Sequence, residues 1–376
     1  MPDSDLEDTE ALYIGLMSGT SMDGIDAVLV DFAQPSPKLL GHHYQPWPES
    51  VQHTLRQLSL PGDNEIEQMG LADIAVANHF AESVDQLLRQ TGIPAHRIQA
   101  IGSHGQTIRH RPQATSPFTL QIGDPNSLAE KTGITVVGDF RRRDMAAGGE
   151  GAPLATGFHA AYLASDSEFR VILNLGGIAN ITLLPTDATS QVIGFDTGPA
   201  NTLMDSWINH SQQRSFDAQG DWAASGEEQE EILQCLLAED YFKRPPPKST
   251  GPELFNLDWL AQRLPTYDSY RPEDIQASLC ALSSRTIVQA INRYAPDCDR
   301  VICCGGGTMN LTLMDQLQQG LNATVETTAR YGIAPDQIEA MAFAWLAKQT
   351  LHKQPGNLPS VTGARHAVIL GAIYQA

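Results

Sequence analysis

Apolar positions along the chain fall into two periods. Short unbroken runs at 11–17, 25–32, 100–103, 171–174, 178–184 and 301–304 read as strands. Longer stretches repeat their apolar residues every three or four positions and read as helices. The clearest, 64–90, carries Ile66, Met69, Ile74, Ala77, Phe80, Val84, Leu87 and Leu88 and is stopped by Gly92 and Pro94. Segments 272–294 and 338–351 are further long helices, and shorter ones are predicted at 125–131, from Asn201 toward Asn209, at 227–238, and after Asn310 as far as Leu321. Additional strands are expected at 119–123, 135–139, 192–195 and 323–327. The Pro-, His- and Gly-rich stretch 35–48 reads as a surface connection, as do 211–225 and 243–253, while the tail 361–374 is a loop with a last apolar segment. Strand and helix alternate throughout, which is an α/β signal. A chain of 376 residues exceeds one ordinary core, so two domains are expected.

Three of the strands run directly into glycine turns. In YIGLMSGTSMDGIDAVLVDF, residues 13–32, two apolar runs flank Ser18, Gly19, Thr20, Ser21, Asp23 and Gly24. This predicts strand, tight turn and returning strand. Glycines let backbone N–H groups approach an anion, and hydroxyls add donors without bulk, so the turn suits a phosphate. Taken alone, the stretch also fits an ordinary hairpin with a polar tip. VILNLGGIANITLL, residues 171–184, repeats the device in the second half of the chain, and Val301–Cys304 runs into Gly305–Gly307. Between the first two, DFRRRDMAAGGEGAPL at 139–154 sets Arg141, Arg142 and Arg143 beside a glycine-rich stretch, where we place a domain junction and an active-site loop. Those three arginines read either as a solvated charge run or as ligand contacts, with no choice among them.

Charge narrows the partners. The formal net charge is −20, which argues against a nucleic-acid or anionic-membrane surface and for a small-molecule partner. Only 6 of the 24 basic residues are Lys, so most positive charge is planar guanidinium, suited to bidentate capture of carboxylates and phosphates. Cys235, Cys280, Cys298, Cys303 and Cys304 are odd in number and lack CxxC spacing, as expected of buried thiols in a reducing compartment. The acidic start MPDSDLEDTE is unlike a secretory leader, and no run approaches 18 uninterrupted apolar residues, so a soluble cytoplasmic protein is expected. No Gly-Lys dipeptide exists for a Walker A loop. Asn310 stands where a dinucleotide fingerprint needs Gly, Ile101 stands where a nucleophile elbow needs Gly, and no HExxH is present for zinc.

The repeated glycine turns resemble the superfamily of acetate and sugar kinases, Hsp70 chaperones and actin. Within it, MSGTSMDGID, GSHGQT, DFRRRD-x-AAGGEGAPL, NLGGIAN, GFDTGPAN, CGGG and IEAMAFAWLA, spread from Ile14 to Tyr374, are similar to the anhydro-N-acetylmuramic acid kinase family. The resemblance implies an α/β fold of two ribonuclease-H-like (actin-like ATPase) domains closing over a central ATP cleft, the first formed by 1–145 plus 352–376 and the second by 146–351. It implies that Gly19, Thr20, Ser21, Met22, Asp23, Gly24, Ile25 and Asp26 hold the ATP phosphates. Asn174, Gly176 and Gly177, in the stretch that runs on to Asn180, would form a second phosphate loop, with Gly305, Gly306 and Gly307 on the adenosine side. Asp196 would be the catalytic base and Glu339 a hinge residue that positions the sugar. His104, Gln106 and the Arg141–Arg143 run would serve the substrate. Mg2+ is expected with ATP. Met17 and Asn174 replace acidic residues found in chaperones and hexokinases, which leaves Asp23 or Asp26, or the nucleotide's own oxygens and water, to hold the ion. A homodimer is compatible with the resemblance.

The implied substrate, 1,6-anhydro-N-acetylmuramic acid, has O6 locked in an internal acetal, so a kinase must combine ring opening by water at C1 with phosphoryl transfer to O6. Two rivals stand beside this reading: a related kinase acting on a free hydroxyl of another amino sugar, and an ATP-driven conformational switch without sugar chemistry. A chaperone-like switch needs a peptide-binding module, and no length of chain is left for one.

Overall fold

The computed structural model describes residues 11–187, 190–251 and 253–376. The acidic start at 1–10 lies outside the described residues, as does Pro252 in the loop expected at 243–253. The chain divides into two compact units, residues 1–162 with 337–376, and residues 163–336.

In chain order the first unit contributes β1 (Leu12–Ser18), β2 (Gly24–Asp31), β3 (Lys38–Pro46), α1 (Glu49–Leu58), α2 (Glu65–Thr91), β4 (Ala100–Arg111), β5 (Phe118–Ile122), α3 (Pro125–Thr132), β6 (Val136–Gly138), α4 (Phe140–Ala146) and α5 (Thr156–Leu163). The second contributes β7 (Arg170–Leu175), β8 (Ile178–Leu184), β9 (Ile193–Pro199), α6 (Asn201–Gln212), α7 (Asp221–Ser225), α8 (Glu230–Leu237), α9 (Leu257–Arg263), α10 (Pro272–Tyr294), β10 (Arg300–Cys304), α11 (Leu311–Gly320) and β11 (Thr324–Thr327). The chain then returns to the first unit with α12 (Ile338–Leu351), α13 (Pro359–Thr362) and β12 (Ala372–Tyr374).

Both sheets are built on one plan. The first runs β12-β6-β4-β1-β2-β3, with β5 paired to β4, and the second runs β11-β10-β7-β8-β9. In each, three antiparallel strands joined by hairpins are followed by a strand parallel to the first: β4 on β1, and β10 on β7. The next strand continues in parallel, β6 on β4 and β11 on β10. The repeated strand, turn and strand of the sequence is therefore one ribonuclease-H-like α/β unit occurring twice.

Helices cover both faces of the first sheet, which is why its central strands read as unbroken apolar runs. Leu12, Ile14 and Leu16 of β1 pack with Val76, Phe80, Val84 and Leu87 of α2. The opposite face carries α12 at a spacing only glycine allows. A Cβ on Gly15 would overlap the carbonyl oxygen of Ala340, and one on Gly102 that of Phe343. This packing places α12 in the first unit. The unit boundaries fall at 162/163 and 336/337 rather than at 145/146 and 351/352, and the segment expected to be the junction, 139–154, lies inside the first unit.

Four further local expectations are corrected. The stretch 35–48 contains β3, an antiparallel partner of β2. As an edge strand it is only half-buried and carries no apolar run to betray it. The strand expected at 100–103 runs on through GSHGQT to Arg111, and the Arg run, expected in a loop, sits on the helix α4. The strand expected at 192–195 continues through Asp196 to Pro199. In the second unit the core joins Val171, Leu173, Ile181 and Phe195 of the sheet to Leu203 and Trp207 of α6 and Leu279 and Leu282 of α10.

Candidate active site

In the first unit the β1–β2 hairpin is held from behind. Ser18 Oγ lies 2.7 Å from both Gly24 O and Gln106 Oε1 and accepts from Trp47 Nε1 at 3.1 Å. Gln106 Nε2 donates to Gly19 O at 3.1 Å, and Gln52 Nε2 to Met22 O at 2.7 Å. Asp23 caps the turn, accepting from Ser21 Oγ at 2.8 Å and from Gly24 N at 3.1 Å. Thr20, Ser21 and Asp23 are exposed at the tip, whereas Met22 and Ile25 turn their side chains into the core. Met22 and Ile25 can therefore meet a ligand only through their backbone. Gln106 is fully buried, and its bonds make it a brace for the hairpin.

His104 is drawn inward as well. It is buried on β4, with its ring 4.7 Å from that of Phe343. Its Nδ1 lies 3.2 Å from the Ser18 carbonyl, which can only accept, so Nδ1 carries the proton. Nε2 is then the acceptor for Arg141, from Nε at 3.1 Å and Nη2 at 2.8 Å. Burial first, and then the Arg141 charge, holds this imidazole well below its ordinary pKa and keeps it neutral. His104 thus links the hairpin to Arg141.

Of the three arginines, only Arg141 is built into this cluster. It also donates through Nη1 to Gly151 O at 2.7 Å. Burial pulls its guanidinium down to about 10, with Glu339 and Asp144 opposing, so it stays charged at neutral pH. Arg142 and Arg143 are exposed, and Arg142 pairs with Asp139 at 3.4 Å. The backbone loop beneath Arg141 is tied by Asp144, a residue the sequence reading missed. Its buried carboxylate accepts from Gly151 N at 2.8 Å, Asn357 Nδ2 at 2.7 Å and Thr362 Oγ1 at 2.7 Å.

Glu339, at the start of α12, is partly buried. Burial raises its carboxyl pKa, the Arg141 charge lowers it, and Asp26 raises it again. Asp26 is the cross-strand partner of Met17 and lies 3.0 Å from His42 Nε2. It is thus the carboxylate beside the position where Met17 replaces an acid. Among the described residues no group of three or more His, Cys, Asp or Glu could enclose a metal. A single carboxylate is nevertheless a donor set that suits Mg2+, which completes its octahedron with phosphate oxygens and water.

In the second unit the glycine turns come together. Asn201 Nδ2 donates to Leu175 O at 3.1 Å and to Gly176 O at 2.8 Å, while Ala200 N and Thr202 N donate to Gly177 O at 2.9 and 3.0 Å. Gly305 has φ +85°, and a Cβ there would come within 2.5 Å of Asn174 Oδ1. The Gly305–Gly307 turn can sit against Asn174 and Leu175 only without side chains. Strand register lines up Cys304, Asn174, Asn180 and Asp196 across four neighbouring strands, on the face opposite the apolar core. The alternation of the strands separates this polar row from Leu173, Leu175, Ile181 and Phe195.

Asp196 is not a helix cap, since Ala200 precedes α6 and no side chain caps it. Its carboxylate accepts from Thr250 N through Oδ2 at 2.9 Å, its backbone N donates to Lys248 O at 3.1 Å, and its carbonyl accepts from Tyr241 Oη at 2.9 Å. Lys248 and Thr250 escaped the sequence reading because 243–253 shows only proline-rich loop character, and Tyr241, just before it, because it belongs to no motif. A lysine followed by Ser, Thr and Gly, in a chain with so few lysines, was the available signal.

A family model described as anhydro-N-acetylmuramic acid kinase matches residues 11–376. A protein of that name from Coxiella burnetii (strain RSA 493 / Nine Mile phase I) is 52% identical over 363 residues, covering 96% of this chain and 97% of its own. One from Xylella fastidiosa is 52% identical over 97% of this chain and 96% of its own, and one from Shewanella amazonensis is 49% identical over 98% and 100%.

Proposed function

From the chain's membership of the anhydro-N-acetylmuramic acid kinase family, which makes it a kinase, we propose that it opens 1,6-anhydro-N-acetylmuramic acid with water and phosphorylates O6 from ATP, in the recycling of cell-wall murein. The orientation of Asp196 carries this reading. Its carboxylate, in the middle of β9, is fixed through Oδ2 by the backbone N–H of Thr250, in the polar row that also contains Asn174.

Asp196 takes a proton from water as that water attacks C1 with inversion, and the C1–O6 bond breaks with its electron pair going to O6. The γ-phosphorus accepts O6 while its bond to the ADP oxygen breaks, so no separate acid is needed for the leaving oxygen. The products are N-acetylmuramic acid 6-phosphate and ADP, and the proton held on Asp196 passes to solvent. The β1–β2 hairpin would supply N–H and hydroxyl donors to the phosphates through Gly19, Thr20, Ser21 and Asp23–Gly24. Gly176–Gly177 would serve as the second phosphate turn, and Gly305–Gly307 would face the adenosine. Asp26 would hold Mg2+ together with nucleotide oxygens and water, and the ion would offset phosphate charge.

Arg141 suits the lactyl carboxylate of the sugar. Three of its N–H groups are engaged by His104 and Gly151, which fixes the plane of the guanidinium and leaves a donor on each terminal nitrogen for a carboxylate. Glu339 beside it would orient the sugar.

Turnover in 18O-water tests the chemistry. The label is expected at C1 of the sugar product and absent from the transferred phosphate, because O6 is retained as the bridge to phosphorus. Label in the phosphoryl group, or equal turnover of an open-ring amino sugar, would refute the ring-opening mechanism.

A further inference from the structure

The segment 248–250 clasps Asp196 from both main chain and side chain, through Lys248 O and Thr250 N. Lys248 is also partly buried, and its ammonium is not turned out to solvent like an ordinary loop lysine. Nζ lies 4.6 Å from the centre of the Tyr241 ring and 5.8 Å from that of Phe195, and donates to Tyr241 O at 3.3 Å. The same Tyr241 bonds the Asp196 carbonyl through its hydroxyl. One aromatic ring thus joins the cation to the backbone of the proposed base.

We infer that Lys248 is a positioning residue for Asp196, its ammonium seated on Tyr241 so as to lock the 248–250 clasp and to favour the ionised carboxylate. The inference rests on Asp196 being the base. The charged and titratable groups facing Lys248 are Asp196 on β9, Arg293 on α10, Arg244, and Tyr241, which Glu253 also faces. Burial, then the Arg293 and Arg244 charges, pull the ammonium down to about 8 against the opposing pull of Asp196, so it is charged at neutral pH and below.

The test is the pH profile of kcat at saturating ATP and sugar, where the acid limb belongs to the bound complex. Lys248→Gln is one bond shorter but keeps an N–H donor for Tyr241 O and removes the charge. Its acid limb is expected to move up by at least ~0.5 pH unit, with a kcat loss of roughly tenfold at pH 6 and little change in KM for ATP. Lys248→Arg keeps the cation and its stacking and is expected to hold the acid limb within about 0.2 pH unit of the parent. An unmoved limb in the Gln variant overturns the inference, however much kcat falls, because a merely structural role changes rate without moving the ionisation. A displaced limb in the Arg variant overturns it equally, and that arm decides the matter if the Gln variant does not fold. Near-normal turnover of Asp196→Asn would instead remove the assignment of the base, which distinguishes the two failures.

Discussion

Asp196→Asn keeps the shape of the side chain and an acceptor for the Thr250 N–H, but it cannot take a proton at neutral pH. Folding and ATP binding are expected to survive while kcat falls by about 10²–10⁴-fold, the usual worth of general-base assistance. Steady-state kinetics beside an ATP-binding isotherm check this. Near-normal turnover would return Asp196 to a structural role. The three arginines differ in the structure in a way the sequence does not show, and the expected effects differ with them. Arg141→Ala should weaken sugar binding by roughly 1.5–3 kcal/mol, as for a lost charge-assisted hydrogen bond, while Arg142→Ala and Arg143→Ala leave it within about twofold. Calorimetric titration with the sugar decides, and equal losses at all three positions would sink the assignment. The reason is contact: Arg141 is locked by His104 and Gly151, whereas its two neighbours point to solvent.

At the scale of elements, α12 is held where β1 and β4 carry Gly15 and Gly102, and no rotamer can relieve an overlap between a Cβ and a main-chain carbonyl. Gly102→Ala should therefore cost roughly 1–3 kcal/mol of stability or more and displace Glu339 with its helix, which denaturant unfolding and sugar affinity would both register. Unchanged stability would mean that the sheet and helix can part at little cost. The Asp144 cluster makes a complementary case. Removing its carboxylate orphans Gly151 N, Asn357 Nδ2 and Thr362 Oγ1 at once, so Asp144→Ala is expected to lose about 3 kcal/mol. Sugar affinity should fall with it, because Gly151 O helps to hold Arg141.

The whole molecule carries histidines that folding keeps neutral. Burial holds His110 and His159 at about 4, and His104 lower than its ordinary value by a wide margin. An unfolded histidine titrates near ~6.5, so between that pH and 4 the unfolded chain binds protons that the native chain does not. Stability contributed in this way is complete above about pH 6.5 and is lost as pH falls through that window. A fully buried histidine such as His159 should cost roughly 2 kcal/mol by pH 5. Unfolding free energies at pH 7 and pH 5 measure the loss, and His159→Gln should flatten the dependence. An unchanged slope in that variant would show that its imidazole is charged in the native state.

Local patterning determined a good deal by itself. The helices at 64–90, 272–294 and 338–351 and the three strand-to-glycine turns follow from apolar period and from glycine, properties that act within a few residues. The repeat of one α/β device, and the family with its chemistry, follow from motifs that are contiguous in sequence. Where a contact joins distant segments, only the tertiary structure decided. Asp196 meets Lys248 and Thr250 across more than 50 residues of chain, and Asp144 meets Asn357 and Thr362 across more than 200. Packing likewise assigned α12 to the first unit and turned the polar GSHGQT stretch into a buried strand, because a polar side chain is buried where a partner from elsewhere in the chain satisfies it. Charge and hydroxyl content name the residue types that chemistry can use, whereas burial and hydrogen-bond partners distinguish Arg141, which is held in place, from Arg143, which is exposed.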